Sequence, residues 1–442
     1  MQEAGSTRGI GARDIAVLVR ACVDHDVLAR VARVDRLGRG NSVEPGHADV
    51  HQHDVRSVFL GEAHGLVAGR RTPDDREAAV CPQRLQNELR EAWVVLADQN
   101  AQRAVRHEGG DCHSGPYDAA VIIDGHNDLV LHCWRGEPTM HLDLEAAMAA
   151  GFAGGFFALY VPSPGIANPP DGPYSLPLPQ AVAFEDAAPI AEEQYEQLCA
   201  LPVGIARSPA DFRAGDITAI VHMEGAEAIA PDLSNLESWY ERGLRSIGLV
   251  WSRPNEFAEG VPFRFPSGPD TGPGLTDAGR RLVRACNDLG IVVDLSHLNE
   301  RGFWDVAETS NAPLVATHSN AHALCASSRN LTDAQLDAIS ASGGMVGVNF
   351  AVTFLREDGR QLPEETGLDE IVRHVDYLAE RMGIDHVAFG SDFDGALIPT
   401  ALGDVAGLPR LVDALRSAGH SDAEVAKITH ENWLRVLGAT WH

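Results

Sequence analysis

Lysine is nearly missing from this 442-residue chain: it occurs once, at Lys427, so 34 of the 35 basic residues are arginine. Positive charge as a whole is scarce, with 35 Lys and Arg against 63 Asp and Glu and a net charge of −28. Such a surface repels phosphate backbones and anionic lipid, which argues against nucleic-acid partners and against a role at a membrane surface. No apolar run approaches the roughly 18 residues that a membrane span needs. The first thirty residues lack a basic head followed by an apolar stretch, and Gly438 to His442 is no lipid-anchor signal. The seven cysteines are odd in number and widely scattered, the pattern of reduced thiols in a soluble, cytoplasmic protein. What is plentiful is apolar: 44% of residues are hydrophobic, enough for a large core.

The composition changes near residue 116. Residues 1–115 hold 15 arginines, 17 acidic residues and seven of the nineteen histidines, whereas the rest of the chain holds 46 acids against 20 bases. Hydrophobic periodicity in the first part is poor apart from candidate helices at Asp14–Arg33 and Pro82–Val105. Two local patterns there mislead. Gly5-Ser-Thr-Arg-Gly9-Ile-Gly11 looks like the glycine-rich turn of short-chain dehydrogenases, but no strand precedes it, and their Tyr-x-x-x-Lys cannot be built when the only lysine is at 427. His107-Glu108-Gly-Gly-Asp111 resembles a zincin helix but ends in Asp. The expectation for 1–115 is a weakly structured extension, or upstream sequence translated from too early a start codon. Peptides from residues 1–100 in the native protein would refute the second idea.

From residue 116 to 442, short apolar runs alternate with helix-length amphipathic segments, the signature of βα units around a parallel sheet. Eight runs read as strands: Ala120–Asp124, Gly155–Val161, Ile217–Met223, Leu244–Val250, Ile291–Leu295, Leu314–Thr317, Met345–Phe350 and His386–Ser391. Thr276–Leu289, Thr332–Ser342 and Leu368–Met382 read as helices between them. Eight such repeats fit an α/β fold of the (β/α)8 TIM-barrel type, with a doubly wound sheet as the alternative.

Barrel chemistry sits at the C-terminal ends of the strands. Those ends read Asp124-Gly-His126-Asn-Asp128, Met223-Glu224-Gly225, Asp294-Leu-Ser-His297, Thr317-His318-Ser319 and Ser391-Asp392-Phe-Asp394-Gly395. Imidazole with carboxylate is the donor set for zinc or a similar divalent ion. His126 and Asp128, two apart on an extended backbone, share a face and can share one ion. Glu224 can place one oxygen on each of two ions, with His297 and His318 completing the second. Each residue also has an ordinary reading: a histidine at a strand end can be a hydrogen-bonded loop residue, Asp-Gly is a turn dipeptide, and Asp294 can be structural. Five ligand-type residues at four strand ends of one barrel shift the balance to a metal site. His222 is expected to pack behind Glu224, His322 to lie at the surface, and Trp239 and Tyr240 to pack.

The same residues, with Gly274-Leu-Thr-Asp-Ala-Gly279, Ser328-Arg-Asn330 and Asn432-Trp-Leu-Arg435-Val, closely resemble the renal (membrane) dipeptidase family of zinc metallopeptidases over about residues 120–440. The resemblance implies a (β/α)8 barrel, two Zn2+ per chain, and hydrolysis of dipeptides, often with tolerance for a D-residue at the second position. It implies His126 and Asp128 on one ion, His297 and His318 on the other, and Glu224 between them. The carboxylated lysine that bridges metals in many related barrels is excluded, since Lys427 lies in the last helix. Arg329 falls where the family binds the substrate carboxylate, and Asp392 where it handles the proton of the attacking water. Relatives commonly form homodimers, and no interface is legible in the sequence.

The implied mechanism follows from charge. Two divalent ions lower the pKa of a bridging water from 15.7 to about 7, the resulting hydroxide attacks the peptide carbonyl, and Asp392 passes the proton to the leaving amine. Arg329, holding the free carboxylate bidentately, restricts substrates to those ending one residue beyond the cut. Two positions depart from the mammalian pattern: Trp251 stands in place of a histidine after strand four, and Phe354 in place of a tyrosine after strand seven. Both bear on which substrate is selected, with Trp251 as a substrate-binding residue. Competing readings are a metal-dependent hydrolase of another amide, lactam or lactone, and a metal-bound barrel without catalysis.

Overall fold

The computed structural model describes residues 121–163 and 171–441. The candidate helices at 14–33 and 82–105, and the two misleading motifs, lie outside the described residues. Within them, all eight expected strands form, at slightly different bounds: β1 (Ile122–Asn127), β2 (Phe152–Tyr160), β3 (Thr218–Glu224), β4 (Leu244–Gly248), β5 (Val292–Asp294), β6 (Val315–Ala316), β7 (Met345–Val348) and β8 (Val387–Phe389). They pair in that order, every pair parallel, in registers such as Phe157 opposite Val221 and Val346 opposite Val387. The last strand returns to the first. Asn127 and Phe393 form a parallel bridge, Asp128 N donates to Phe393 O at 2.8 Å, and Asp392 N donates to His126 O at 3.0 Å. The architecture is therefore a (β/α)8 barrel, and the doubly wound alternative is set aside because an open sheet has no such return.

The expected helices also form. Thr276 caps Asp277–Leu289 by accepting Gly279 N at 3.0 Å, and Gly290 ends that helix in the left-handed conformation. Thr332 and Gln335 make a capping box before Asp333–Ala341, and Leu368–Met382 spans the expected residues. Such ends are sharp because the cap satisfies backbone N–H groups that the helix itself cannot.

Near the N-terminal ends of the strands, the barrel interior is filled by Ile123, Phe156, Ile220, Val292, Val315, Met345 and Ala388. The closing helix Asn432–Thr440 adds Trp433, Val436 and Leu437 to this layer, and Trp433 Nε1 donates to Phe389 O at 3.1 Å. The opposite end of the barrel is polar. Among the described residues no helix is long and apolar enough to cross a membrane.

Candidate functional site

The polar end is built by strands that stop after delivering their side chains. β1 carries His126 and is followed directly by Asp128, and β3 ends on Glu224. His297 and Asp392 adopt φ of 67° and 61°, in the left-handed region, where each costs on the order of 1–3 kcal/mol for a residue with a Cβ. That geometry turns both side chains out of the strand direction and toward the barrel axis. Gly395 is needed for a different reason: a Cβ there would lie 2.1 Å from Asp128 Oδ2 and 2.6 Å from Asp392 Oδ1.

The five expected ligands converge. His126 Nε2 lies 3.3 Å from Asp128 Oδ2 and 3.7 Å from Glu224 Oε1. Glu224 Oε1 is also 3.0 Å from His297 Nε2 and 3.6 Å from His318 Nε2, and those two nitrogens are 3.1 Å apart. Two groups have donor atoms mutually within 4.8 Å: His126, Glu224 and His318, and His126, Asp128 and Asp392. Asp392, expected only at the attacking water, thus stands within range of the same point as the β1 ligands.

The donor chemistry fits divalent metal. Burial, with the nearby Arg329 and His126, holds His297 and His318 well below the usual histidine range, so both are neutral at pH 7, the form that ligates. Each uses Nδ1 elsewhere, His297 on Ser252 Oγ and His318 on Thr317 Oγ1, both at 2.8 Å, which leaves Nε2 facing Glu224. Thr317 Oγ1 in turn donates to Asp294 Oδ2 at 2.7 Å, so Asp294 orients rather than ligates. Burial drives Glu224 upward, reinforced by Asp128 and Asp392; a dication between these carboxylates would restore its ionised form. Burial pulls His126 down, but Glu224, Asp128 and Asp392 outweigh it and raise the imidazole. Its Nε2 is the nitrogen that faces Asp128 and Glu224, and its buried Nδ1 has no hydrogen-bond partner.

The expected substrate residues line the same mouth. Arg329 is buried, donates to His318 O at 3.1 Å and sits 5.5 Å from the Phe354 ring centroid, with Nε unpartnered. Burial lowers its pKa, opposed by Asp392 and Glu224. The Trp251 ring lies 5.7 Å from that of His297. His222 packs as expected, its Nδ1 2.9 Å from Ser246 Oγ and its ring edge-on to His126. His322 is half-buried with its Nε2 on Ser267 O, and Trp239 is buried while Tyr240 is half-buried.

Three features escaped the sequence reading. Asn349 Nδ2 donates to Asp392 Oδ2 at 2.9 Å. Asp124 accepts from Ser391 N and Ser391 Oγ at 2.6 and 2.7 Å, fastening β8 to β1 beside the site, and burial lifts its carboxyl to about 6. Arg253 and Glu227 form a wholly buried ion pair. Asn349 could have been noticed as a polar residue at the end of β7; the other two depend on contacts that have no local signature.

A parallel barrel with imidazoles and carboxylates gathered at its C-terminal mouth defines a metal-dependent hydrolase. A profile of the membrane dipeptidase family, peptidase family M19, matches residues 117–441, and the chain belongs to that family. It is accordingly a metallopeptidase acting on peptide bonds. The structure is similar to that of a metallopeptidase from Rhodobacter sphaeroides bound to a phosphinate mimic of the dipeptide L-Ala-D-Ala, with 49% identity, TM-score 0.70, and coverage of 73% of this chain and 100% of the other. It is equally similar to the metallopeptidase dipeptidase AC, at 50% identity and TM-score 0.70 over 73% of this chain and 99% of that one. Dipeptidase verJ of Clonostachys rogersoniana is 30% identical over 333 residues, which is 72% of this chain and 83% of the relative.

Proposed function

We propose that the chain is a two-zinc dipeptidase that accepts a D-residue at the second position. The observation that carries this reading is the convergence of three imidazole Nε2 atoms on Glu224 Oε1, those of His297, His318 and His126 at 3.0, 3.6 and 3.7 Å, with Asp128 Oδ2 3.3 Å from His126 Nε2. His126 and Asp128 would hold one ion, His297 and His318 the other, and Glu224 would bridge. Two bound ions supply an attacking water brought from a pKa of 15.7 toward 7 and a polarised substrate carbonyl.

The protein's own groups do the rest. Asp392, fixed through Oδ2 by Asn349, offers Oδ1 to the proton of the attacking water and returns it to the departing amine nitrogen. Arg329 forks onto the substrate's free carboxylate, and the buried, water-poor setting strengthens the pair. Tolerance of a D-residue is supported by the L-Ala-D-Ala mimic in the Rhodobacter sphaeroides relative.

The test is initial hydrolysis rates on L,L- and L,D-dipeptides with chelator-stripped protein before and after zinc is returned. Zinc-restored cleavage is expected. Failure on every dipeptide, with turnover of a lactam or lactone instead, would replace the substrate class and keep the barrel's metal chemistry.

A further inference from the structure

We propose that the buried Arg253–Glu227 pair is a positioning device: it holds Tyr160 and Trp251 as the wall that selects the side chain of a dipeptide's N-terminal residue. The inference rests on the dipeptidase reading above. Glu227 lies three residues past Glu224, in the turn after β3, and Arg253 two residues past Trp251, after β4. Arg253 Nε donates to Glu227 Oε1 at 2.8 Å, while Nη1 donates to Val161 O at 2.7 Å and Ser163 Oγ at 2.6 Å, both just beyond Tyr160 at the end of β2. One guanidinium therefore ties together the mouth ends of three successive strands.

The rings it braces face the site. The guanidinium carbon lies 5.7 Å from the Tyr160 centroid and 5.9 Å from that of Trp251, and the two rings are 5.3 Å apart. Trp251 continues onto His297 at 5.7 Å. Tyr160 is the register partner of Glu224 across β2 and β3, so the ring stands beside the carboxylate on the same face of the sheet. Arg329 stands on the loop after β6, beyond His297 in strand order. A substrate carboxylate there leaves the N-terminal residue for the β2–β4 side.

Stability alone is a poor explanation for this pair. Both side chains have zero exposure, and a buried ion pair contributes little against apolar residues of similar volume. Arg253 Nη2 and Glu227 Oε2 have no hydrogen-bond partner, which leaves two buried polar atoms uncompensated. Even the backbone yields to it: Gly225 takes φ 95°, and a Cβ there would lie 2.3 Å from Glu227 Oε2. What a rigid guanidinium fork does supply is a fixed angle between the segments it joins. Indole and phenol faces favour an apolar side chain, and a glycine first residue has nothing to place against them.

The test uses the full-length, zinc-loaded protein with the double substitution Arg253→Met/Glu227→Met, which fills the space without leaving a lone buried charge. Zinc content and thermal midpoint are expected to hold. KM for Leu-Ala is expected to rise about tenfold with kcat little changed, while kcat/KM for Gly-Ala stays within about twofold. An unchanged ratio of Leu-Ala to Gly-Ala, or an equal loss on both, would overturn the inference. Should the double variant not fold, Ser163→Ala removes one bond of the brace, and a shift of about two- to threefold in the same ratio is expected. No shift in a folded Ser163→Ala would count as refutation. The same pair is read with D-Ala as second residue if the L-Ala pair is not cleaved; if the unmodified protein cleaves no L,L- or L,D-dipeptide with zinc restored, the dipeptidase reading fails and takes this inference with it.

Discussion

The two ends of the barrel obey different rules. At the N-terminal end of the strands, the layer from Ile123 to Ala388 is apolar and closed by Trp433, whose one polar atom is satisfied. At the other end, His297, Asp392 and Asp394 take left-handed backbone conformations, and His126 Nδ1 and Arg329 Nε are buried without hydrogen-bond partners. Strain and unsatisfied polarity of that kind survive only when the rest of the fold over-determines the structure. The comparison assigns stability to the lower layer and chemistry to the upper one.

Substitutions at the two ends should therefore fail in opposite ways. Glu224→Gln keeps the shape but removes the charge shared by the ligands. It is expected to cut kcat by about a thousandfold or more and to lower metal content while the thermal midpoint holds. Metal analysis with steady-state kinetics checks this, and full activity with two ions bound would contradict the bridge. Trp433→Ala should do the reverse, destabilising the fold by about 3–5 kcal/mol in urea melts while the folded fraction keeps its metal and turnover. Arg329→Ala sharpens the division within the upper end. KM should rise about a hundredfold for free dipeptides but hardly at all for carboxyl-amidated ones, since the clamp has nothing to hold in the latter. Equal losses on both would remove the clamp from the account.

A smaller effect comes from His374, away from the ligands, where burial pulls the imidazole down to about 4. It stays neutral in the fold while the unfolded chain protonates near 6.5, so stability is complete above pH 6.5. It falls by at most about 1.4 kcal/mol per pH unit between 6.5 and 4. A His374→Gln variant should show a flatter slope across that window in denaturation series.

Much of this was legible before the fold was known. Apolar runs bounded by turn residues located all eight strands, because a barrel strand buried on both faces leaves a continuous hydrophobic record. Boundaries shifted most at the first two strands, expected at Ala120–Asp124 and Gly155–Val161 and found at Ile122–Asn127 and Phe152–Tyr160, where glycine and polar residues interrupt the apolar runs. The residues that converge at the mouth were legible because barrel chemistry falls at strand ends. Their supports were not. Ser252 behind His297, Asn349 behind Asp392, and Arg253 with Glu227 act across 26 to 45 residues of sequence. Only Asn349, a polar residue at the end of β7, carried any local signal. The antiparallel ribbon of Tyr174–Ser175 with Arg264–Phe265 is likewise too short for any periodicity to show.

The most direct test of the central claim is anomalous X-ray scattering at the zinc edge from crystals of the zinc-loaded protein. Two peaks about 3.5–4 Å apart are expected at the strand ends, with Glu224 between them, His126 and Asp128 on one and His297 and His318 on the other. A single peak, or two that do not share Glu224, would contradict the two-metal centre.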